Sequence, residues 1–266
     1  MLKLLLILVI LYLFAIRCRS GHSGLKDFQG WAYAHRGLHG NGIPENSMAA
    51  FKVALDHGYG IELDVHLLKD GNLAVIHDSL LNRTTGQPGH VEDLTTAQLK
   101  DYRLEGTEET IPEFMDVLTL YNGKAPLIVE LKPENGNHAA LAEAVCRMLD
   151  TYKGVYCLES FDPRCVAWLK KNRPDLIRGF LTENFVKRRN NLSGSLKFAL
   201  THCLTNLICT PDFIAYKFED RKDSPSVWLC RKLWKAQAVT WTIRNKEDFE
   251  TALKEGWLPI FEYFLP

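Results

Sequence analysis

No charge of one sign dominates this chain: 32 Lys and Arg stand against 32 Asp and Glu, so the formal net charge is zero. Without a basic excess to release counterions, a nucleic-acid binder working through bulk electrostatics is excluded. One small phosphate is not, since it needs only a few local cations. Cysteine is sparse and unpatterned. Seven residues are an odd number, and none falls in CxxC spacing, so neither a complete disulfide framework nor a zinc ribbon fits. Low-complexity tracts and fixed-period repeats are also missing, which leaves out a solenoid or a long disordered tail.

The chain lacks a long hydrophobic run as well. The most apolar stretch covers 4–16, bounded by Lys3 and by Arg17 and Arg19. At helical rise it reaches about 20 Å, short of the ~30 Å hydrocarbon core. Such a length fits a signal-peptide core or a short signal anchor. No small-x-small cleavage site follows, and Arg17 spoils the reading of Cys18 as a lipoprotein cysteine. The expectation is an uncleaved N-terminal membrane anchor whose flanking cations snorkel, with secretion after signal removal as the alternative. Residues 1–24 are then anchor and Gly/Ser-containing linker, "SGHSG" at 20–24, and 25–266 a single globular domain.

What is present is an alternation. Short apolar runs recur at 31–35, 60–65, 73–77, 126–131, 155–161, 177–181, 213–218 and 238–243. Several are near-continuous, as expected of parallel strands covered on both faces. Helix-period segments lie between many of them, among them "ENSMAAFKVALDHG" and "HAALAEAVCRMLDTY". Eight strands alternating with helices predict an α/β fold, a (β/α)8 barrel, with a doubly wound sheet as the next choice. One connection departs from this: "KDGN" at 69–72 leaves no room for a helix, so the second and third strands form a hairpin-like pair.

Barrel enzymes assemble their sites where strands end, and here four apolar strands end in charge. His35 and Arg36 close the first. In "GIELDV" the period of two sends Glu62 and Asp64 to one face. His77 and Asp78 close the third run, and Glu130 and Lys132 the fourth, again two apart. Three converging carboxylates suit a hard divalent cation, Mg2+ or Ca2+. Arg36 and Lys132 supply fixed positive charge for a phosphate. His35 and His77 can act as general base and acid about one phosphorus.

The ordered motifs "HRG…PENS…F" at 35–51, "ELDVHLLKDGNLAVIHD" at 62–78, "LNRTTG" at 81–86, "VELK" at 129–132 and "SF" at 160–161 resemble those of the glycerophosphodiester phosphodiesterase family. The resemblance covers about 26–245. It implies a TIM barrel of the phosphatidylinositol-phospholipase-C-like superfamily, one divalent metal, and hydrolysis of glycerophosphodiesters to glycerol 3-phosphate and an alcohol. Carried over by motif, His35 and His77 become the catalytic pair, and Arg36 and Lys132 the phosphate ligands. Glu62, Asp64 and Glu130 become the metal ligands. Glu45 and Asn46 of "PENS" are expected to support the site and cap the following helix, and Trp241 of "VTWTI" to line the pocket.

The resemblance further implies a cyclic phosphate formed by the substrate's own glycerol hydroxyl. One departure stands out: the family's aspartate-bearing "TD-P" turn is replaced by "PIFEYFLP", where Glu262 is a candidate substitute. Small glycerophosphodiesters or lysophospholipids are the expected substrates, with the membrane as a partner through the N-terminal segment and no nucleic acid. Two other readings are a phospholipase D acting on lysophospholipids or choline lipids, and a non-catalytic phosphate-binding barrel. The intact set of two histidines and three carboxylates argues against the last.

Overall fold

Each apolar run becomes a short strand because it has two faces to bury, one toward the barrel lumen and one under helices. The computed structural model describes residues 2–189 and 191–266. The chain starts with α1 (Leu2–Ala15), then β1 (Tyr33–His35), α2 (Met48–Asp56) and the hairpin β2 (Gly60–Leu67) and β3 (Leu73–Val75). Next come α3 (Asn82–Thr85), α4 (Phe114–Tyr121), β4 (Leu127–Leu131), α5 (His138–Leu149), β5 (Tyr156–Ser160) and α6 (Pro163–Asn172). The second half holds β6 (Arg178–Thr182), α7 (Gly194–Thr201), α8 (Asn206–Cys209) and β7 (Phe213–Lys217). It closes with α9 (Pro225–Lys232), β8 (Gln237–Ile243), α10 (Lys246–Lys254) and β9 (Leu258–Phe261).

Eight strands, β1, β2 and β4 to β9, pair in parallel and close into a ring through β9–β1 and β1–β2. This is the (β/α)8 barrel that the alternation predicts, with one exchange of strands. The run at 73–77 is not a stave: β3 pairs antiparallel with β2. Val65 pairs with Leu131 of β4 on one edge and with Val75 of β3 on the other. The hairpin therefore rises above β1, which pairs with the first three residues of β2. The eighth stave is β9, a four-residue strand that pairs with both β8 and β1.

Local chemistry sets the ends of the elements. Ser47 caps α2, its Oγ accepting the Ala50 N–H at 3.1 Å. The cap is thus one residue beyond the Glu45–Asn46 pair expected to supply it. Asp162 caps α6 with Pro163 in its first turn. All seven cysteines are free and buried.

The segment after α1 is fastened beneath the barrel, at the N-terminal ends of the strands. Ile16 and Cys18 are buried in the core, and Arg19 binds the Asp212 carboxylate and the Leu176 carbonyl. A 3-10 turn, Ser23–Phe28, then seats Phe28 against Tyr33, Ile177 and Phe213 as the floor of the lumen. α1 itself is 14 residues long, about 21 Å at helical rise. Among the described residues no helix is long and apolar enough to cross a membrane.

Candidate active site

β1 ends at His35, and the chain turns at once: Arg36 takes a left-handed φ of 53° and Gly37 one of 78°. A side chain at Gly37 would meet the Ala50 backbone at 2.8 Å, so the turn lies directly on α2 and only glycine fits. That turn points the Arg36 guanidinium into the barrel mouth, where its Nη1 donates to Glu45 at 2.9 Å and its Nε lies 3.5 Å from Asp64. Asn46, also left-handed, donates to the Asp64 carboxylate at 2.8 Å. "HRG" and "PENS" are thus two halves of one clamp on a single aspartate.

Parallel register assembles the acidic centre. Asp64 of β2 lies beside Glu130 of β4, and Glu62 lies beside His35. Single oxygens of Glu62, Asp64 and Glu130 all fall within 4.8 Å of one another, and all three residues are buried. Burial pushes the Glu62 carboxyl well up, and the neighbouring Asp64 and Glu130 add to the shift. Burial raises Glu130 too, against the pull of Lys132. Asp64 alone is held below the usual carboxylate range: burial opposes this, but His77, Lys132 and Arg36 overcome it. Its Oδ1 is buried with no hydrogen-bond partner. A crowd of buried acids, one with an oxygen that accepts no hydrogen bond, is a poor resting arrangement and a good one for a hard divalent cation. The residues present fit that group.

Lys132, just past β4, donates to Glu130 at 3.0 Å and lies 3.5 Å from Asp64 and 3.2 Å from His77 Nε2. Each histidine carries a carboxylate behind its other nitrogen. His77 Nδ1 lies 2.6 Å from Asp78, and His35 Nδ1 lies 2.5 Å from Glu262. With Nδ1–H donating to a carboxylate, each ring keeps Nε2 toward the centre, 3.8 Å from Glu62 in the case of His35. The hydrogen bond from His77 holds Asp78 well below the normal carboxylate range, and Arg83 assists. Burial would raise Glu262, yet hydrogen bonds from His35 and His39 carry it low. Burial lowers His35 itself.

All seven predicted centre residues therefore meet at the C-terminal rim, with Glu45 and Asn46 behind them. Trp241 stands further out. It packs edge-on against Phe161 at 5.4 Å, and Phe161 lies 6.0 Å from Lys132 Nζ, so its link to the centre is indirect. A cavity of about 670 Å³ opens beside the centre, lined by His77, Arg83, Glu130, Lys132, Ser160 and Phe161 among others.

Four further residues matter that strand-end reasoning passed over. Arg83 ties Glu45 to Asp78, linking the Arg36 clamp to the His77 backing. Glu92 meets His66 Nδ1 at 2.6 Å, while His66 Nε2 contacts the His77 carbonyl at 3.2 Å. Glu159, in register with Glu130, is buried with one oxygen unpartnered, and burial pushes it well up. Its signal was in plain view, a lone acid inside the apolar "YCLES".

Comparison with known proteins agrees with this geometry. The glycerophosphoryl diester phosphodiesterase family matches residues 35–261. A glycerophosphodiester phosphodiesterase of Caldanaerobacter subterraneus is 31% identical over 234 residues, covering 84% of this chain and 89% of its own. One from Bacillus altitudinis is 36% identical over 165 residues, 58% of this chain and 67% of its own. Among solved structures, an Oleispira antarctica phosphodiesterase bound to sn-glycerol 3-phosphate superposes with a TM-score of 0.72. It is 22% identical and covers 92% of this chain and 95% of its own, a likeness of fold. The chain belongs to the glycerophosphoryl diester phosphodiesterase family and is an enzyme of that class.

Proposed function

We propose that this enzyme hydrolyses glycerophosphodiesters to glycerol 3-phosphate and an alcohol with a divalent cation, Mg2+ or Ca2+, and two histidines of opposite role. One observation carries the reading: two carboxylate-backed imidazoles direct their Nε2 atoms at a three-carboxylate centre that also holds Arg36 and Lys132. Glu62, Asp64 and Glu130 would hold the cation, which when bound lowers the pKa of a ligated hydroxyl and neutralises phosphate charge. Arg36 and Lys132 then orient the phosphate, the guanidinium by two parallel donors and the ammonium as a point charge. One histidine takes the proton of the substrate's glycerol hydroxyl as that oxygen attacks phosphorus. The other gives its proton to the departing alcohol. A cyclic phosphate results, and water opens it with the two imidazoles in exchanged roles.

The test is a substrate panel of glycerophosphocholine, glycerophosphoethanolamine, glycerophosphoinositol and lysophosphatidylcholine, each with Mg2+, Ca2+ and chelator. We expect cation-dependent release of glycerol 3-phosphate, with His35→Ala and His77→Ala each lowering kcat by at least ~100-fold. Turnover of lysophosphatidylcholine but of no deacylated diester would replace this reading with the phospholipase D one. No turnover of any diester would leave a phosphate-binding barrel.

A further inference from the structure

α1 has no apolar face because it is apolar all round. From Leu4 through Leu11 every side chain is 45% to 63% exposed. Eight consecutive positions at 100° steps cover the full circumference of a helix. A protein groove would cover one stripe of such a helix, whereas hydrocarbon covers every side.

Its direction follows from two contacts. The Ile16 carbonyl accepts from Cys230 Sγ at 3.3 Å and Asn206 Nδ2 at 3.1 Å, and one turn earlier the Tyr12 hydroxyl meets Ser226 Oγ at 2.8 Å. α9 descends from the C-terminal end of β7 toward the start of β8. Stepping from Cys230 back to Ser226 therefore climbs toward the catalytic rim, and α1 climbs with it. The ten residues before Tyr12 continue about 15 Å farther that way. That is the depth of one leaflet, half of the ~30 Å hydrocarbon core.

A ledge on the same rim accompanies the helix. Thr182, at the top of β6, donates to the Leu200 carbonyl at 2.9 Å, so the last turn of α7 sits at rim height and its earlier turns stand above it. Those turns expose Leu196 (40%) and Phe198 (54%), and the segment before them exposes Val186 (58%). Lys187, Arg188, Arg189 and Lys197 neighbour these apolar residues along the chain. Asp223 pairs with Lys187 and Glu183 with Arg188, while among the described residues Arg189 and Lys197 have no carboxylate partner. Ser226 of α9 joins α7 and α1, since the Tyr12 hydroxyl of α1 and Nδ1 of His202, the residue just past α7, both contact its Oγ, the latter at 3.3 Å.

We propose that α1 and this ledge seat the protein on an anionic bilayer surface, helix in one leaflet and cations at the headgroups, with the catalytic mouth facing the lipid. Mixed apolar and basic side chains on one rim match such a surface. Lys3, near the helix tip, reaches back along its stem to the headgroups, which sets the helix oblique to the membrane. The substrate consequence, diesters drawn from the bilayer surface, rests on the proposed hydrolysis; the seat does not.

The test separates the two. Flotation of the full chain with phosphatidylglycerol vesicles and with phosphatidylcholine vesicles should show at least ~10-fold tighter binding to the anionic lipid. Leu5→Asp with Leu8→Asp should abolish flotation, and Arg189→Glu with Lys197→Glu should erase the preference, both leaving hydrolysis of soluble glycerophosphocholine unchanged. An environment-sensitive fluorophore on Phe198→Cys should shift to the blue on vesicles, and one on Lys26→Cys, beneath the barrel, should not. Flotation that survives the α1 charges, equal binding to both lipids, or the reverse fluorophore pattern would overturn the proposal. So would self-association lost with the α1 charges in a protein that never floats. Loss of soluble-substrate hydrolysis in the wild type would strike the hydrolase reading and not the seat.

Discussion

At the residue level the centre gives each imidazole a carboxylate behind Nδ1 and turns its Nε2 toward the acids and Lys132. Glu262 is the clearest case. Its Oε2 holds His35 Nδ1, its Oε1 accepts from Arg244 Nε at 2.7 Å, and His39 Nε2 lies 3.6 Å away. Glu262→Gln keeps the shape and removes the charge that steadies an imidazolium. We expect kcat to fall about 10- to 100-fold with KM nearly unchanged, because the lost interaction is strongest when His35 carries a proton. Glu262→Asp should recover part of the loss if the charge, and not the packing, is what matters. A matching pH effect follows from sign. The Glu262 carboxyl is depressed in the fold, so its stabilisation is present above its unfolded value of about 4.3 and fades as pH falls through the folded value. The melting-temperature gap between wild type and Glu262→Gln should therefore narrow below about pH 4. A gap that stays constant across that range would remove the ionic account of this residue.

Elements made of a few residues carry most of the precision. Gly179 of β6 lies in register with Phe213 of β7, and a Cβ at Gly179 would stand 2.1 Å from the Phe213 ring. Phe213 is 2% exposed and packed on the floor cluster, so the ring has nowhere to retreat. Gly179→Ala should cost about 1–3 kcal/mol by overpacking, read as a shift in denaturant midpoint at unchanged slope. The same scale shows what the sequence could and could not disclose. Strand ends bearing His35, Glu62, Asp64, Glu130 and Lys132 were legible because period two and parallel pairing put alternate residues on one face. The hairpin was legible from "KDGN". The identity of the eighth stave was not. "LPIF" is four residues with a proline inside, a pattern that argues against a central strand, whereas "LAV" reads as well for a flap as for a stave. Glu262, beyond β9, could be tied to His35 only by closing the ring, across 227 residues of chain. Asn46 looked like a helix cap because Asn often is one. The left-handed turn hands that task to Ser47 and turns Asn46 onto Asp64.

For the whole molecule, the acidic centre is a standing electrostatic cost placed where β1, β2 and β4 come together. Folding must bury Glu62 and Glu130 beside Asp64, and burial with mutual repulsion raises the first two carboxyls. Acids raised in the fold bind protons there that the unfolded chain has released. The metal-free protein should therefore lose stability as pH climbs from about 4.3 through the folded values of these groups. A divalent cation held by these carboxylates would replace the protons, so its affinity should rise over the same interval and its binding should release protons to solvent. A cation at 100 times its dissociation constant would stabilise the fold by about 2.7 kcal/mol. For a chain of this size that is roughly 5–10 °C in melting temperature. The increment should grow from pH 5 to pH 8, reverse with chelator, and shrink severalfold in Glu62→Gln. The same variant, relieved of one crowded charge, should melt no lower than wild type when both are metal-free. If Glu62→Gln kept the full increment, the cation would be binding elsewhere and the three carboxylates would have to be explained without it.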